Sequence, residues 1–387
     1  MRVAILSKLS PGDGVVVYTR QLQAWLRSNG HVADIVHFSN DPAGSNEPGG
    51  SSSSANPPGQ HPSVGPATPD PDVHALPYLT RSPGYTVPGP GSYGRLKRLL
   101  QTLGPDLIHA QLTTSPVDFL VPRLARELGV PAIATFHHGW DYRPTRFGLF
   151  GQLVSNAYAP ALARYTRVIV FGSRLQRHFE ARGVAAKRIA VIPNGVDAAA
   201  YAPGPSEFRL PDELRITYMG RMTADKNITP LVETFAAHRH ADLVLTLAGA
   251  GPLVASLKAR FAADRRIEWL GFVADEAVRK SLWRGSDIVM LPSPIEGLSL
   301  SLLEGMASGC MPVATDVGEH ADVLSGIGRV LDPLNIRRDL RSAWDWLAVN
   351  RDAVPAAGAA ARQRVLDRYT YERHWRALGD LYAEVLR

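Results

Sequence analysis

The sequence predicts an α/β protein built from two doubly wound, Rossmann-like domains, and three observations predict it. The chain has 387 residues, too many for one ordinary core. Short apolar runs alternate with stretches of helical spacing, the pattern of a parallel sheet covered by helices. That alternation occurs twice, with a Pro- and Ala-rich passage between the two sets.

In the first set, Val3 to Leu6 reads as a buried strand. Tyr18 to Leu26 has helical spacing, and Asn29-Gly30 stops it. Strands follow at Val32 to Phe38, Asp106 to Ala110, Pro131 to Phe136, Arg167 to Phe171 and Arg188 to Ile192. The second set starts at Leu214 to Met219. It continues with Leu243 to Ala248, Ile267 to Leu270, Asp287 to Leu291, Met311 to Ala314 and Arg329 to Leu331. Pro193 through Pro211 is the hinge. The expected domains are 1–205 and 206–370, with a closing helix over 371–387 that packs back toward the first domain. Two such domains leave a cleft between them, and ligands of doubly wound sheets bind beyond the carboxyl ends of the strands.

Between Asn40 and Ser92 the pattern collapses into Pro, Gly, Ser and small polar residues. Such a stretch buries too little apolar surface to offset its conformational entropy. Residues 41–92 therefore read as a largely disordered insertion in the first domain. Asp70-Pro71-Asp72, the one Asp-x-Asp in the chain, falls within it and reads as a bystander rather than a metal ligand pair.

Composition narrows the class. Hydrophobic residues make up 45% and charged residues 20%, which suits a globular protein. No apolar run approaches a bilayer span, and the start of the chain is broken too soon for a signal peptide. A cytoplasmic protein is expected. The single cysteine, Cys310, reads as a small buried hydrophobe. Residues 1–205 hold 19 Lys/Arg against 12 Asp/Glu, while the rest hold 23 against 24. The basic excess sits in the first half and suits either an anionic partner or general solubility. Tyr93 to Leu103 carries Arg95, Lys97 and Arg98 on a short helix. This is either a packed helix with a solvated basic face or a peripheral contact with anionic lipid on the inner face of a membrane. No aromatic-basic module for nucleic acid is present.

The chemistry-bearing residues lie at strand ends. After Leu214 to Met219 come Gly220-Arg221 and Lys226, two cations able to converge on phosphate oxygens. After Asp287 to Leu291 comes the loop with Glu296, Gly297, Leu298 and Ser299, and then a helix, Leu300 to Ala307, containing Glu304. A helix start is an anion site, and Gly297 lets backbone approach a ligand. A carboxylate in that apolar helix needs a polar partner, and ribose hydroxyls qualify.

Together these elements resemble the retaining GT-B fold glycosyltransferases of family 4. The motif Glu-x7-Glu appears as Glu296 and Glu304, and the Gly-Arg-…-Lys element as Gly220-Arg221 and Lys226. The Gly-x-Gly-Pro turn is Gly249-Ala250-Gly251-Pro252, and the hinge phrase stands intact from Ile192 to Asp197. In the first half, Gly12-Asp13-Gly14 is similar to the family's glycine loop and Thr135-Phe136-His137 to its Thr-x-His strand end. One departure is Leu298-Ser299 where members often carry Phe-Gly.

The resemblance implies a nucleotide-sugar donor. Arg221 and Lys226 would hold its diphosphate, Glu304 the ribose, and Glu296 the transferred sugar with the N–H groups of Gly297, Leu298 and Ser299. Phe272 and Val273 would flank the nucleobase, and Gly14 would admit the phosphates. His137 would sit near the sugar, with adjacent His138 as its rival. The resemblance further implies retention of configuration, no metal and no cofactor, with a UDP-sugar favoured over GDP-mannose and a lipid or cell-envelope saccharide as acceptor. An epimerase or phosphorylase on the same fold is the enzymatic alternative, and a basic binding protein the non-enzymatic one. A dinucleotide-dependent oxidoreductase is disfavoured, because Val15-Val16-Val17 follows Gly12-Asp13-Gly14 and breaks the G-x-G-x-x-G fingerprint.

Overall fold

The computed structural model describes residues 1–9, 14–39, 70–81, 85–112, 114–141, 143, 146–240 and 242–387. Gly12, Asp13 and the stretch 40–69 lie outside the described residues.

In chain order the strands are β1 (Arg2–Leu6), β2 (Val32–Phe38), β3 (Val73–Leu76), β4 (Tyr78–Arg81), β5 (Thr86–Pro88), β6 (Leu107–Gln111), β7 (Ala132–Thr135), β8 (Arg167–Val170) and β9 (Ile189–Val191). They continue as β10 (Leu214–Met219), β11 (Leu243–Ala248), β12 (Ile267–Gly271), β13 (Ile288–Leu291), β14 (Met311–Thr315) and β15 (Arg329–Leu331). One sheet has the order β3-β2-β1-β6-β7-β8-β9 and the other β12-β11-β10-β13-β14-β15. In each, the first strand lies inside the sheet and the winding reverses beside it, which makes a topological switch point. The second switch point lies between β10 and β13, whose pairing sets Ile216 opposite Ile288 and Thr217 opposite Val289.

By compactness the chain divides into two units. The first comprises Met1–His137, Pro160–Ile169 and Glu384–Arg387; the second comprises His138–Ala159 and Val170–Ala383. In the first, the helix Gly14–Ser28 buries Tyr18, Leu22 and Leu26 at four-residue spacing. Gly30, at φ +74°, ends that turn of chain. In the second, the core joins Ile216, Leu245, Val289 and Val313 of the sheet to Leu302, Met306 and Trp344 of the covering helices. Cys310 belongs to this core, is wholly buried, and points its thiol at the carbonyls of Trp283 and Ser286. Burial pushes that thiol well above its ordinary pKa.

The structure corrects the 41–92 reading only at its described end, since 41–69 lie outside the described residues. Residues 70–81 and 85–92 carry regular structure: β3 extends the sheet in parallel register with β2, Ile35 opposite Val73, and β4 pairs antiparallel with β5. These strands are only three or four residues long and border prolines, so no period could emerge from the sequence. Asp70 and Asp72 are no bystanders. Arg27 bonds both, at 2.8 and 2.7 Å, and ties the entrance of β3 to the end of the first helix.

The helix Ser92–Leu103 buries Leu96 and Leu100 and is closed by Gly104 in the left-handed region. Its basic face is partly neutralised, since Lys97 pairs with Glu127 at 2.8 Å. Among the described residues, no helix is long and apolar enough to cross a membrane.

The hinge phrase is bound to the start of the last helix, Tyr371–Val385. Val196 N–H donates to the Tyr369 carbonyl, Tyr371 N–H donates to that of Val196, and His374 Nδ1 lies 2.7 Å from the Pro193 carbonyl. A Cβ on Gly195 would stand 2.7 Å from the Thr370 oxygen, so only glycine lets the strands of chain meet there.

Candidate active site

The second sheet delivers five loops at its carboxyl edge. β10 leads into Gly220-Arg221, and Tyr218 fixes the turn by donating its hydroxyl to the Arg221 carbonyl at 2.7 Å. The glycine turn after β11 lies directly against this loop. Met222 N–H donates to the Ala250 carbonyl, and a Cβ on Gly249, at φ +151°, would fall 1.8 Å from the Gly220 oxygen. Gly249-Ala250-Gly251 therefore shapes the Arg221 loop from below. Beyond β12, Phe272 stands 64% exposed, an apolar ring with little packed over it; Val273 beside it is half-buried.

The two cations part company. Arg221 is 44% exposed at its side chain and pairs with Asp225 at 3.1 Å. Lys226 is 13% exposed and stands 2.5 Å from the Glu296 carboxylate, which is itself 15% exposed. Asn227 next to it adopts a left-handed φ of +53° and anchors the turn through its amide, which donates to the Pro292 carbonyl at 2.9 Å. Residues that follow β10 and β13 thus meet at the switch point of the sheet.

Glu296 lies on a loop gripped from two sides. Trp140 N–H donates to the Glu296 carbonyl and the Trp140 carbonyl accepts from Gly318 N–H, both at 3.1 Å, while Glu319 N–H donates to the Gly297 carbonyl at 3.2 Å. A Cβ on Gly318 would meet the Glu296 and Gly297 oxygens at 2.4 and 2.3 Å. Burial works to raise the Glu296 pKa, but Lys226, His320 and Ser293 outweigh it, and the carboxyl ends below its ordinary value. Gly297 is half-buried; Leu298 is buried, and its carbonyl accepts from the Asn194 amide at 2.8 Å. Ser299 caps the helix Leu300–Ala307 by accepting from Leu302 N–H. Among the described residues, the N–H groups of Gly297, Leu298 and Ser299 meet no acceptor.

Glu304 occupies a different environment. Its carboxylate accepts from Trp283 Nε1 at 3.2 Å, and the Tyr201 hydroxyl and Arg279, bonded to each other at 3.3 Å, act on it electrostatically. Burial dominates and raises its pKa. Sequence reasoning asked for a polar partner without finding it. The partners are aromatic donors on the hinge and on the helix Glu276–Gly285, far away in sequence.

In the first unit, His137 Nε2 lies 2.5 Å from Gln111 Oε1 at the end of β6, and the Tyr18 ring packs edge-on at 4.9 Å. His138 turns to Tyr158, 5.6 Å between ring centroids. The division between the two units falls between these histidines, and β7 ends at Thr135, so both lie on the turn after the strand. Gly14 opens the first helix, and a Cβ there would meet nothing within 4 Å.

Trp140, Gly318, Glu319 and His320 escaped the sequence reading. The signal was available: Asp316 to His320 follows β14 and occupies the same carboxyl edge as Arg221 and Glu296.

Comparison with known proteins agrees with this architecture. Residues 12–200 match the model of Glycosyltransferase Family 4, and residues 213–346 match that of Glycosyl transferases group 1. The chain is 26% identical over 247 residues to an Escherichia coli UDP-Gal:alpha-D-GlcNAc-diphosphoundecaprenol alpha-1,3-galactosyltransferase, covering 57% of this chain and 60% of that one. It is 27% identical over 277 residues to the 2-deoxystreptamine glucosyltransferase of Streptomyces kanamyceticus, covering 62% and 71%. Anabaena HepE, crystallised with UDP-glucose, superposes with a TM-score of 0.73 at 16% identity over 99% of this chain and 100% of its own. Sucrose-phosphate synthase of Thermosynechococcus elongatus gives 0.73 at 19% identity over 99% and 98%. The chain has the GT-B fold and belongs to the family 4, or group 1, glycosyltransferases.

Proposed function

We propose that this glycosyltransferase moves a hexose from a UDP-sugar to a lipid-linked or cell-envelope saccharide, with retention of configuration. The observation that carries the reading is the Lys226–Glu296 pair at the switch point of the second sheet. It sets a cation for the diphosphate beside a carboxylate for the sugar. Arg221 and the acceptor-less N–H groups of Gly297, Leu298 and Ser299 add to the positive field. The exposed face of Phe272 and neighbouring Val273 receive the base, and Glu304 the ribose. Gly14 is assigned to the phosphates; among the described residues packing does not require a glycine there. His137 is assigned to the acceptor side. The UDP-glucose bound by Anabaena HepE and the UDP-Gal donor of the Escherichia coli relative support the donor, and that relative's diphosphoundecaprenol acceptor supports a lipid-linked one. A cytoplasmic setting follows from such a donor.

Charge grows on the leaving diphosphate as its bond to the anomeric carbon breaks. Lys226, Arg221 and the loop N–H groups neutralise it, so no metal is invoked. The acceptor oxygen attacks from the same face, and its proton passes to the departing phosphate oxygen. Glu296 holds the sugar rather than attacking it. A panel of UDP-sugars and GDP-mannose, with and without extracted lipid, tests the reading through nucleoside diphosphate release. Release from a UDP-sugar that depends on lipid is expected. Release only from GDP-mannose would overturn the donor, no release from any donor would reduce the chain to a binding module, and an inverted linkage by NMR would reject retention.

A further inference from the structure

His320 is wholly buried, and neither ring nitrogen makes a hydrogen bond of normal geometry. Such a group calls for an explanation. Its backbone neighbours are fixed to the Glu296 loop: Gly318 packs on the Glu296 and Gly297 carbonyls, and Glu319 N–H bonds to Gly297. The ring is electrostatically coupled to Glu296, Lys226 and Asp316, and lies near the Thr315 carbonyl. Asp316 is already engaged by Arg143 and Arg174, and Glu319 accepts from Leu175 N–H. Asp322, one turn on, also faces Arg174.

Lys226 cannot serve two anions equally. It now neutralises Glu296, and the donor-site reading above, on which this inference rests, requires it at the diphosphate. The Glu296 side chain is only 15% exposed, and a mostly buried carboxylate that loses its cation is costly. Zero exposure also denies His320 direct contact with a ligand, so it acts through its neighbour. We propose that His320 is a positioning residue that takes up a proton when the donor draws Lys226 from Glu296, and so keeps that carboxylate charged and oriented. In the free protein, burial and Lys226 hold the imidazole low, against the pull of Glu296 and Asp316. Neutralising Lys226 removes one depressing influence, and the diphosphate adds negative charge nearby. Both changes favour the imidazolium. Affinity then falls as pH rises, by up to about tenfold per pH unit, the limit for one proton.

The test is calorimetric titration of the full chain with UDP-glucose and with GDP-mannose near neutral pH, in phosphate and in Tris. Neither donor ionises there, so buffer-dependent heat reports protein protons. Wild type should take up a sizeable fraction of one proton. His320→Gln and His320→Phe should bind without that uptake and with a flattened pH profile. Binding without uptake in wild type, or equal uptake in both variants, overturns the proposal alone. No binding of either donor, or binding indifferent to Lys226→Ala, overturns the donor-site reading as well. The wild-type buffer comparison stands even if a variant fails to fold.

Discussion

Glu296 and Glu304 belong to one motif, yet their surroundings ask different things of a carboxylate. Glu296 faces a lysine at 2.5 Å and is held below its ordinary pKa. Glu304 is bonded by Trp283, with Tyr201 and the more distant charge of Arg279 beside it, and burial outweighs all three and holds it above. The first environment uses the charge; the second uses chiefly the lone pairs. The spacing of the motif is thus a device for presenting two kinds of acceptor from one loop and helix, and the difference can be attacked directly.

The largest effect is expected from Lys226→Ala. It removes the diphosphate cation and strands Glu296, and kcat/KM should fall roughly 10²- to 10³-fold, as for loss of one preorganised charge-stabilising donor. Glu296→Gln should cost roughly 10²-fold in transfer, whereas Glu304→Gln keeps an acceptor and should cost about tenfold or less, mostly in donor KM. Equal losses would erase the distinction between the two sites. Stability should separate them in the opposite sense. The folded state binds the Glu296 proton less tightly than the unfolded chain, so this charge contributes stability above the ordinary carboxyl range and loses it as pH falls through the lowered value. Glu304 binds its proton more tightly when folded, so its ionisation costs stability as pH climbs through the raised value. At neutral pH, melting curves should place Glu304→Gln above wild type and Glu296→Gln below it, with the gap closing in acid. Gly249→Ala drives a Cβ into the Gly220 oxygen and should destabilise by about 1 to 3 kcal/mol while displacing Arg221. The smallest effect is Gly14→Ala, which should leave the melting temperature unchanged while donor KM rises, because none of the described residues lies within 4 Å of the added Cβ.

Legibility followed the range of the interactions. The alternating strands of both sheets, and the positions of Arg221, Lys226, Glu296 and Glu304 at loop and helix, are local patterns that a sequence displays. The partners were not local. Tyr201 and Trp283 approach Glu304 from other segments; Gly318 grips the Glu296 loop because β14 lies beside β13 in the sheet, and Trp140 bonds the same loop across more than 150 residues of sequence. The strand Val73–Leu76 was missed for a related reason: it is held by register with β2 and by Arg27, neither of which alters its own composition. Arg221 and Lys226 looked equivalent as two cations on one loop, and burial separated them.

The wholly buried thiol of Cys310, the one cysteine of the chain, has a practical consequence. Maleimide chemistry meets a silent background in the native protein. A cysteine placed at Val349, which is 77% exposed, would take a fluorophore at one known point. Donor binding could then be followed by a single dye without first stripping the protein of competing sulfur.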